Sequence, residues 1–264
     1  MHWWLAYLAI GAGAGFIAGL LGIGGGAVIV PLLVFVFGAQ GLPAQHVLHM
    51  SLATTMAALI FTSIASARAH HSRDAVDWPM ARLMVPGMLV GAFAAALIAG
   101  MIATRDLAVI FTILMFTAAT QIILDLRPRT TRAVPGPAGV FAAASLIGAI
   151  SSLLAVGGAF LSVPFLTWCS VPLRRAIGTA AANGVPIAAA GTAGYVVQGW
   201  RADGLPAATF GYVYLPGLAL IAVASAMTAP LGARLAHRLP VKQLRVLLAL
   251  VLYVVAIRLL MRLW

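Results

Sequence analysis

A glycine cluster inside a long apolar run places the strongest constraint on how this chain can fold. Residues 15–33 read GFIAGLLGIGGGAVIVPLL and carry no charge, which is typical of a membrane-embedded segment. The GIGGG motif at residues 22–26 opposes a continuous helix because glycine is a poor helix former. Within hydrocarbon, unwound backbone is tolerated only where protein covers it or where it lines a cavity. The break therefore marks a candidate functional position.

The same segment occurs a second time in the other half of the chain. Residues 148–166 read GAISSLLAVGGAFLSVPFL and align with the first copy without a gap at an offset of 133 residues. Identical pairs include Gly24/Gly157, Gly25/Gly158 and Pro31/Pro164. Glycine-interrupted apolar segments at matching places in two halves point to the binding site of a transporter.

Composition places nearly the whole chain in a membrane. Of its 264 residues, 63% are hydrophobic and 8% are charged, whereas soluble domains are about 25% charged. The formal net charge of +11 fits Lys and Arg at cytoplasmic helix ends, so we expect membrane lipid, and not nucleic acid, as a partner. One cysteine excludes an internal disulfide. No metal cluster, Ser/His/Asp set or carboxylate pair is evident, so we expect neither a metal, a cofactor nor enzyme activity.

The expected fold is an all-α integral membrane protein built from two inverted repeats. Each repeat comprises a glycine-broken helical hairpin followed by three transmembrane helices. The first repeat covers residues 1–126, a cytoplasmic linker covers 127–137, and the second repeat covers 138–264, within a single transmembrane domain. The six predicted spans are residues 46–67, 78–103, 107–124, 174–198, 205–235 and 241–263.

The distribution of basic residues decides between two topologies. If each broken segment crosses the membrane once, nine Lys and Arg residues face seven, without asymmetry. If each segment enters and leaves on the same side, twelve face four, which is the positive-inside pattern. The hairpin topology is therefore favoured. It inverts the two halves, places both termini outside the cytoplasm, and lets the hairpin tips meet near the midplane.

The hairpin tips are candidate anion sites. Each tip starts a second short helix, at about Gly25 and at about Gly158, whose first N–H groups lack intrahelical partners at the positive end of the helix dipole. Two such ends would bind an anion without a buried arginine. The candidate substrate-binding backbone groups belong to Gly24, Gly25, Gly26, Gly157 and Gly158. The alternative is that glycines serve close helix packing, which is the expected role of Gly11, Gly15, Gly19, Gly87 and Gly91.

Polar side chains in the following spans are further candidates for the substrate site. Thr54 and Thr55 align with Asn183 and Gly184 at an offset of 129 residues. The two hydroxyls and the Asn183 amide would complete the hydrogen bonds of an oxyanion, and interhelical hydrogen bonding is the alternative. Weaker candidates are Ser51, Ser162 and Thr179.

Two histidines near the outer end of the first full span are candidates for proton coupling. His46 and His49 titrate near neutral pH, and an interfacial role is the alternative. Pro86-Gly87 in the first half and Pro216-Gly217 in the second are predicted to occupy equivalent positions, where the prolines would kink spans beside the site.

These motifs together resemble the TauE/SafE sulfite exporter family, also called the toluenesulfonate uptake permease family. The resemblance is carried by GLLGIGGGAVIVPLL, its second copy LLAVGGAFLSVPFL, and the stretches AQHVLHMSLATT and LRRAIGTAAANGVP. It implies an inner-membrane carrier of small sulfur-containing anions, often an exporter coupled to the proton gradient. The second copy has Ala155 and Ala159 where the first has Gly22 and Gly26, so equal roles for the two tips do not follow.

The expected function is a secondary transporter of sulfite, sulfoacetate or another organosulfonate by alternating access, in the cell inner (plasma) membrane. The alternatives are a carrier of another small organic anion, a non-transporting membrane scaffold or assembly protein that uses the same glycines for packing, and an ion channel, which no charged ring supports. The expected partners are the small anionic substrate, membrane lipid and a second copy of the chain, since GxxxG faces permit a homodimer.

Overall fold

Helices make up most of the chain that the structure describes. The computed structural model describes residues 3–21, 25–124 and 134–236, together with residues 246, 249–250, 253–254 and 256–257. The continuous ranges form nine helices: α1 (Trp3–Leu21), α2 (Gly26–Ala39), α3 (Val47–His71), α4 (Trp78–Met101), α5 (Thr104–Leu124), α6 (Pro137–Leu154), α7 (Ala159–Trp168), α8 (Leu173–Gly199) and α9 (Leu215–Ala236). A two-stranded antiparallel sheet joins β1 (Thr209–Phe210) to β2 (Val213–Tyr214).

Several of these helices are long and apolar enough to cross a membrane. In the described part of the chain they are α3, α4, α6 and the Leu215–Gly232 portion of α9. A spanning helix needs about 20 residues, so α2 with 14 residues and α7 with 10 are too short to cross alone. The prediction of an all-helical, multi-pass membrane protein is confirmed. Most of the predicted linker, residues 127–133, lies outside the described residues.

The first glycine break reverses the chain, so that α1 and α2 are antiparallel. Tyr7 near the start of α1 lies against Phe37 near the end of α2, with ring centroids 6.3 Å apart. The Nε2 of Gln40 donates to the Tyr7 hydroxyl at 2.6 Å. At the opposite end of the pair, Gly25 packs against the backbone of Ala14. The first broken segment therefore enters and leaves at the same end of the bundle.

The second break reverses the chain as well, because α6 and α8 both run parallel to α4. The contacts that set these directions are Gly87–Phe141 and Ala92–Gly148 for α4 with α6, and Met84–Asn183 and Ala96–Gly194 for α4 with α8. Since α6 and α8 point the same way, α7 between them runs in the opposite direction. The two hairpins open at opposite ends of the bundle, because α3 and α8 are antiparallel, with Ser63 against Gly184 and Met56 against Gly191.

Small residues allow the closest helix pairs to pack backbone against backbone. A Cβ at Gly15 would lie 2.4 Å from the Cα of Ser225 in α9, and one at Gly91 would lie 1.9 Å from the carbonyl oxygen of Ser145 in α6. This confirms the predicted packing role of the GxxxG pairs that end at these glycines. Both faces are filled within the chain, so neither supports a homodimer, which stays a prediction.

The predicted helix over residues 205–235 is wrong at its start, because α9 begins ten residues later. Residues 209–214 form the β-hairpin instead. Gly204 and Gly211 have φ angles of 78° and 56°, a left-handed conformation that interrupts a right-handed helix. A Cβ at Gly211 would lie 2.4 Å from the carbonyl oxygen of Val196, so the hairpin folds back tightly on α8.

This start also corrects the predicted match between two prolines. Pro86 lies inside α4, whereas Pro216 is the second residue of α9. Proline is tolerated in the first turn of a helix, where its missing N–H is not needed. Pro216 therefore corresponds in position to Pro79, the second residue of α4, and does not kink its helix.

Charge differs between the two ends of the described bundle. The end formed by the α3–α4 loop and the start of α8 carries five exposed arginines, namely Arg68, Arg73, Arg82, Arg174 and Arg175, with Asp74 and Asp77. The opposite end carries two arginines, Arg105 and Arg201, with Asp106 and Asp203. The second hairpin opens at the basic end and the first hairpin at the opposite end.

Candidate functional site

A glycine in the left-handed conformation precedes the second helix of each hairpin. Gly25 is the N-cap of α2 with φ 67°, and Gly158 is the N-cap of α7 with φ 77°. This conformation costs residues with a Cβ about 1–2 kcal/mol. The predicted helix starts are confirmed. The N–H groups of the first two residues of each helix have no intrahelical acceptor.

The tips of the two hairpins touch. A Cβ at Gly26 would lie 1.8 Å from the carbonyl oxygen of Ala155, so any side chain at this position would force the tips apart. Leu59 of α3 lies at the same junction. Gly24 falls outside the described residues. The contact gives Gly26 a packing role, whatever else its N–H group does.

The second tip is enclosed by α3 and α8. The Cβ position of Gly184 lies 2.9 Å from the carbonyl oxygen of Gly157 and 2.8 Å from the Oγ of Ser63. The Cβ position of Gly158 lies 2.6 Å from the Cδ1 of Ile187. One backbone oxygen and one hydroxyl therefore lie against the middle of α8 beside the N-terminus of α7.

Four buried polar atoms have no hydrogen-bond partner among the described residues: Thr55 Oγ1, Ser152 Oγ, Ser162 Oγ and Asn183 Oδ1. Each of these residues is at most 1% exposed. An unpartnered buried polar group costs about 1–3 kcal/mol, and it calls for an explanation such as a bound ion or ligand. Three of the four belong to the second hairpin or to the helix that follows it.

Asn183 and Ser162 lie at one level beside the N-terminus of α7. The Nδ2 of Asn183 donates one hydrogen bond to the Sδ of Met84 at 3.5 Å, whereas its Oδ1, an acceptor, has no partner among the described residues. The role of this amide as a donor to the substrate stays a prediction. Asn183 is one turn before Ile187, which contacts Gly158. Because α7 runs antiparallel to α8, Ser162, one turn into α7, faces the level of Asn183. The Ser162 Oγ is 3.7 Å from the Cβ position of Gly158.

Thr54 and Thr55 have different surroundings. The Oγ1 of Thr54 accepts a hydrogen bond from the N–H of Tyr214 at 2.9 Å, just as Thr179 Oγ1 accepts one from the N–H of Asp77 at 2.9 Å. Tyr214 and Asp77 directly precede α9 and α4. These equivalent bonds pair Thr54 with Thr179 at an offset of 125 residues. The predicted pairing with Asn183 is therefore wrong by one helical turn.

His49 is fully engaged in the structure. Its Nε2 lies 3.0 Å from the carbonyl oxygen of Ala99 and 3.1 Å from that of Ile102, and its Nδ1 lies 3.3 Å from the Oγ1 of Thr104. Its ring stacks on Tyr212, with centroids 5.2 Å apart. Burial raises the pKa of the Tyr212 phenol, which therefore stays neutral. His49 thus ties α3 to the end of α4.

His46 makes a similar tie at the same end of the bundle. Its Nε2 lies 3.0 Å from the carbonyl oxygen of Asp203 in the loop that precedes β1, and its ring centroid is 5.7 Å from that of Tyr212. His46 therefore joins α3 to the loop before β1, and His49 joins α3 to the end of α4. A role of the two histidines in proton coupling stays a prediction.

Comparisons with known proteins agree with this architecture. Residues 7–259 match the family described as sulfite exporter TauE/SafE. A "probable membrane transporter protein" of Haemophilus influenzae is 35% identical over 260 residues, which cover 98% of each chain. Another probable membrane transporter protein, from Methanocaldococcus jannaschii, is 22% identical over 95% of this chain and 92% of its own length.

A third relative, the probable membrane transporter protein YdhB of Bacillus subtilis, is 25% identical over 70% of this chain and 76% of its own length. No solved structure matches the chain. The family match extends across both hairpins and the helices between them, and the first relative aligns over nearly its full length. The chain therefore belongs to the TauE/SafE sulfite exporter family of membrane transporters.

Proposed function

We propose that this protein is a secondary transporter that moves a small sulfur-containing anion, such as sulfite, sulfoacetate or another organosulfonate, across the cell inner membrane. The observation that carries the proposal is the contact between the two hairpin tips, where the N-termini of α2 and α7 follow glycine N-caps. Helix N-termini bind anions through free N–H groups and the helix dipole. None of the described Arg and Asp side chains is buried, so the anion would be held by neutral donors.

The two halves are proposed to be inverted repeats. In support, α1 packs on α9 as α6 packs on α4: Gly11 contacts Ala224, and Ala144 contacts Gly87. The equivalent helices α3 and α8 run antiparallel. In this arrangement the basic end of the bundle would face the cytoplasm, and the N-terminus of α1 would lie on the other side.

Alternating access would follow from hairpins that open at opposite ends. An anion at the touching tips would be reached from the cytoplasm past the second hairpin and from the outside past the first. Transporters with inverted repeats move one bundle against the other around a fixed central site. Exchange of the anion would then require the tip contact between Gly26 and Ala155 to open alternately on its two sides.

The proposal is tested by flux of ³⁵S-labelled sulfite into proteoliposomes. We expect saturable uptake that sulfoacetate competes, and thermal stabilisation of the detergent-purified protein by the same anions. Gly25→Leu would be a poor probe, because φ is positive and the Ala14 carbonyl oxygen lies 2.7 Å from its Cβ position. Ser162→Leu is better, because it fills the space beside the α7 N-cap and should abolish uptake.

Thr192→Leu is the matched control, since it is a half-buried residue on α8 that bonds only its own helix, through Ala188. Both variants are assayed after a monodisperse elution profile shows that they are folded. Equal uptake by the two variants would contradict the assigned site. Absence of uptake and of stabilisation by any sulfur-containing anion in the wild type would contradict the function itself.

A further inference from the structure

We propose that Asn183 makes the transporter bind sulfur-containing anions that carry their own O–H or N–H hydrogen-bond donor more tightly than anions without one, such as sulfoacetate. The inference rests on the function proposed above and names the substrate class of the same site. Its basis is that Oδ1 of the buried Asn183 amide has no partner among the described residues and can only accept a hydrogen bond, whereas an anion site needs donors. The acceptor therefore requires a ligand group of the opposite kind.

The orientation of the amide is set from one side. Its Nδ2 faces the Sδ of Met84 on α4 at 3.5 Å, and sulfur can accept a hydrogen bond but cannot donate one to Oδ1. The nitrogen is therefore directed to α4 and the oxygen away from it. Asn183 precedes Ile187 by one turn of α8, and the Cδ1 of Ile187 is 2.6 Å from the Cβ position of Gly158, so this face of α8 meets the start of α7. Ser162, one turn into α7, carries a second unpartnered polar atom.

The groups at this level fall into two sets with different chemistry. The N-terminus of α7 offers N–H donors and Ser162 a hydroxyl, which suit the oxygens of an ionised group. Asn183 Oδ1 can only accept. An anion without any donor would place its negative oxygens near this oxygen and leave it unpaired. An anion with a hydroxyl or ammonium group beside its ionised group would satisfy both sets.

The first hairpin lacks this arrangement. At the offset of 133 residues, Ile29 stands where the second hairpin has Ser162, and at the offset of 125 residues, Ala58 stands where α8 has Asn183. Both residues are buried and apolar. We therefore assign the discrimination between anions with and without a donor to the second hairpin together with α8.

The test compares two anions that differ by one hydroxyl group, 2-hydroxyethanesulfonate and ethanesulfonate. Affinities are measured as the concentration dependence of thermal stabilisation and as competition with labelled sulfite uptake. We expect the wild type to bind the hydroxylated anion at least about tenfold more tightly, because an unpaired buried acceptor penalises the other. Asn183→Leu should remove this preference while ethanesulfonate still binds. Thr192→Val, on the same helix, should keep it.

A second variant separates recognition from general damage at this position. Met84→Leu removes the sulfur that orients Nδ2, so the amide can rotate and offer its donor instead. We expect the ratio of the affinities for 2-hydroxyethanesulfonate and ethanesulfonate to decrease, while the affinity for ethanesulfonate stays the same or increases. A merely structural role for Asn183 predicts that both anions weaken together.

Three outcomes would overturn the inference. The first is equal binding of the two anions by the wild type, and the second is an unchanged preference in Asn183→Leu. The third is a sodium requirement for anion binding that Asn183→Leu removes, which would make Oδ1 a cation ligand. All three leave the proposed function intact, since anions still bind, whereas a wild type that binds neither anion nor sulfite refutes the function.

Discussion

The two hairpins share a backbone plan but differ in their chemistry. Both have a glycine N-cap with positive φ, and both reverse the chain at the same junction. The first hairpin meets this junction with apolar neighbours, including Ile29. The second hairpin and α8 bring three unpartnered polar atoms, from Ser152, Ser162 and Asn183, whereas the first hairpin and α3 bring one, from Thr55. The comparison teaches that two copies of a repeat can share a backbone geometry while the buried polar groups beside it differ in number.

Two glycines of the tips, Gly26 and Gly158, have different neighbours although they do not occupy equivalent positions. At Gly26 a Cβ would meet backbone, the carbonyl oxygen of Ala155, which cannot rotate away. At Gly158 a Cβ would meet the Cδ1 of Ile187, the far end of a flexible side chain. Gly26 is therefore a packing residue, whereas Gly158 is needed for its left-handed conformation.

Alanine at these two glycines should give the largest difference between the hairpins. Gly26→Ala places a methyl group 1.8 Å from a backbone oxygen, so we expect a loss of more than about 3 kcal/mol and little folded protein. Gly158→Ala should cost about 1–2 kcal/mol for its left-handed backbone. The midpoint of thermal unfolding in detergent measures both. Equal shifts would mean that the tips do not touch.

Substitution of Thr54 and Thr179 tests whether these two residues occupy equivalent positions in the two halves. Thr54→Val and Thr179→Val each remove the acceptor of one backbone N–H, that of Tyr214 or Asp77, at 2.9 Å. We expect each to lose about 1–3 kcal/mol, because the N–H is left unsatisfied, and we expect the two losses to be similar. Thr55→Val is the control, since its hydroxyl has no partner among the described residues. A loss confined to one threonine would break the equivalence.

Local features of the sequence were sufficient to predict the hairpins. The glycine cluster and the repeat at residues 148–166 predicted helix starts at Gly25 and Gly158, where the structure has its N-caps. The small-xxx-small spacing also predicted the close contact of Gly15 and Gly91 with neighbouring helices. These features succeed because backbone conformation and close approach depend on the residue itself.

Features that depend on lengths or on distant partners were not predictable. The pairing of Thr54 with Asn183 failed because the connection before α3, residues 40–46, has seven residues, whereas the connection before α8, residues 169–172, has four. This difference shifts the register of α8 by about one turn beyond the shift that the shorter α7 causes. The free acceptor of Asn183 depends on Met84, a residue 99 positions away. The sequence around Asn183 does not indicate which residue of another helix will lie against its side chain.

Ser162→Ala and Ile29→Val should change stability least and should compare the two hairpins most directly. We expect Ser162→Ala to lower anion affinity without lowering stability, and Ile29→Val to lower stability without lowering anion affinity. Ser162→Ala removes a hydroxyl that has no partner among the described residues, so stability should stay constant or rise. Anion affinity should fall by about tenfold with the loss of one hydrogen bond to a charged ligand. Ile29→Val, at the matching place in the first hairpin, removes one methylene and should cost about 0.5–1.5 kcal/mol.

Titration of the thermal unfolding midpoint with sulfite separates the two effects in one experiment. The midpoint without anion reports stability, and its dependence on anion concentration reports affinity. We expect Ser162→Ala to need about tenfold more sulfite for the same stabilisation and Ile29→Val to need the same amount as the wild type. If Ile29→Val weakened the response as much as Ser162→Ala, both tips would hold the anion equally, and the chemical asymmetry of the hairpins would have no bearing on recognition.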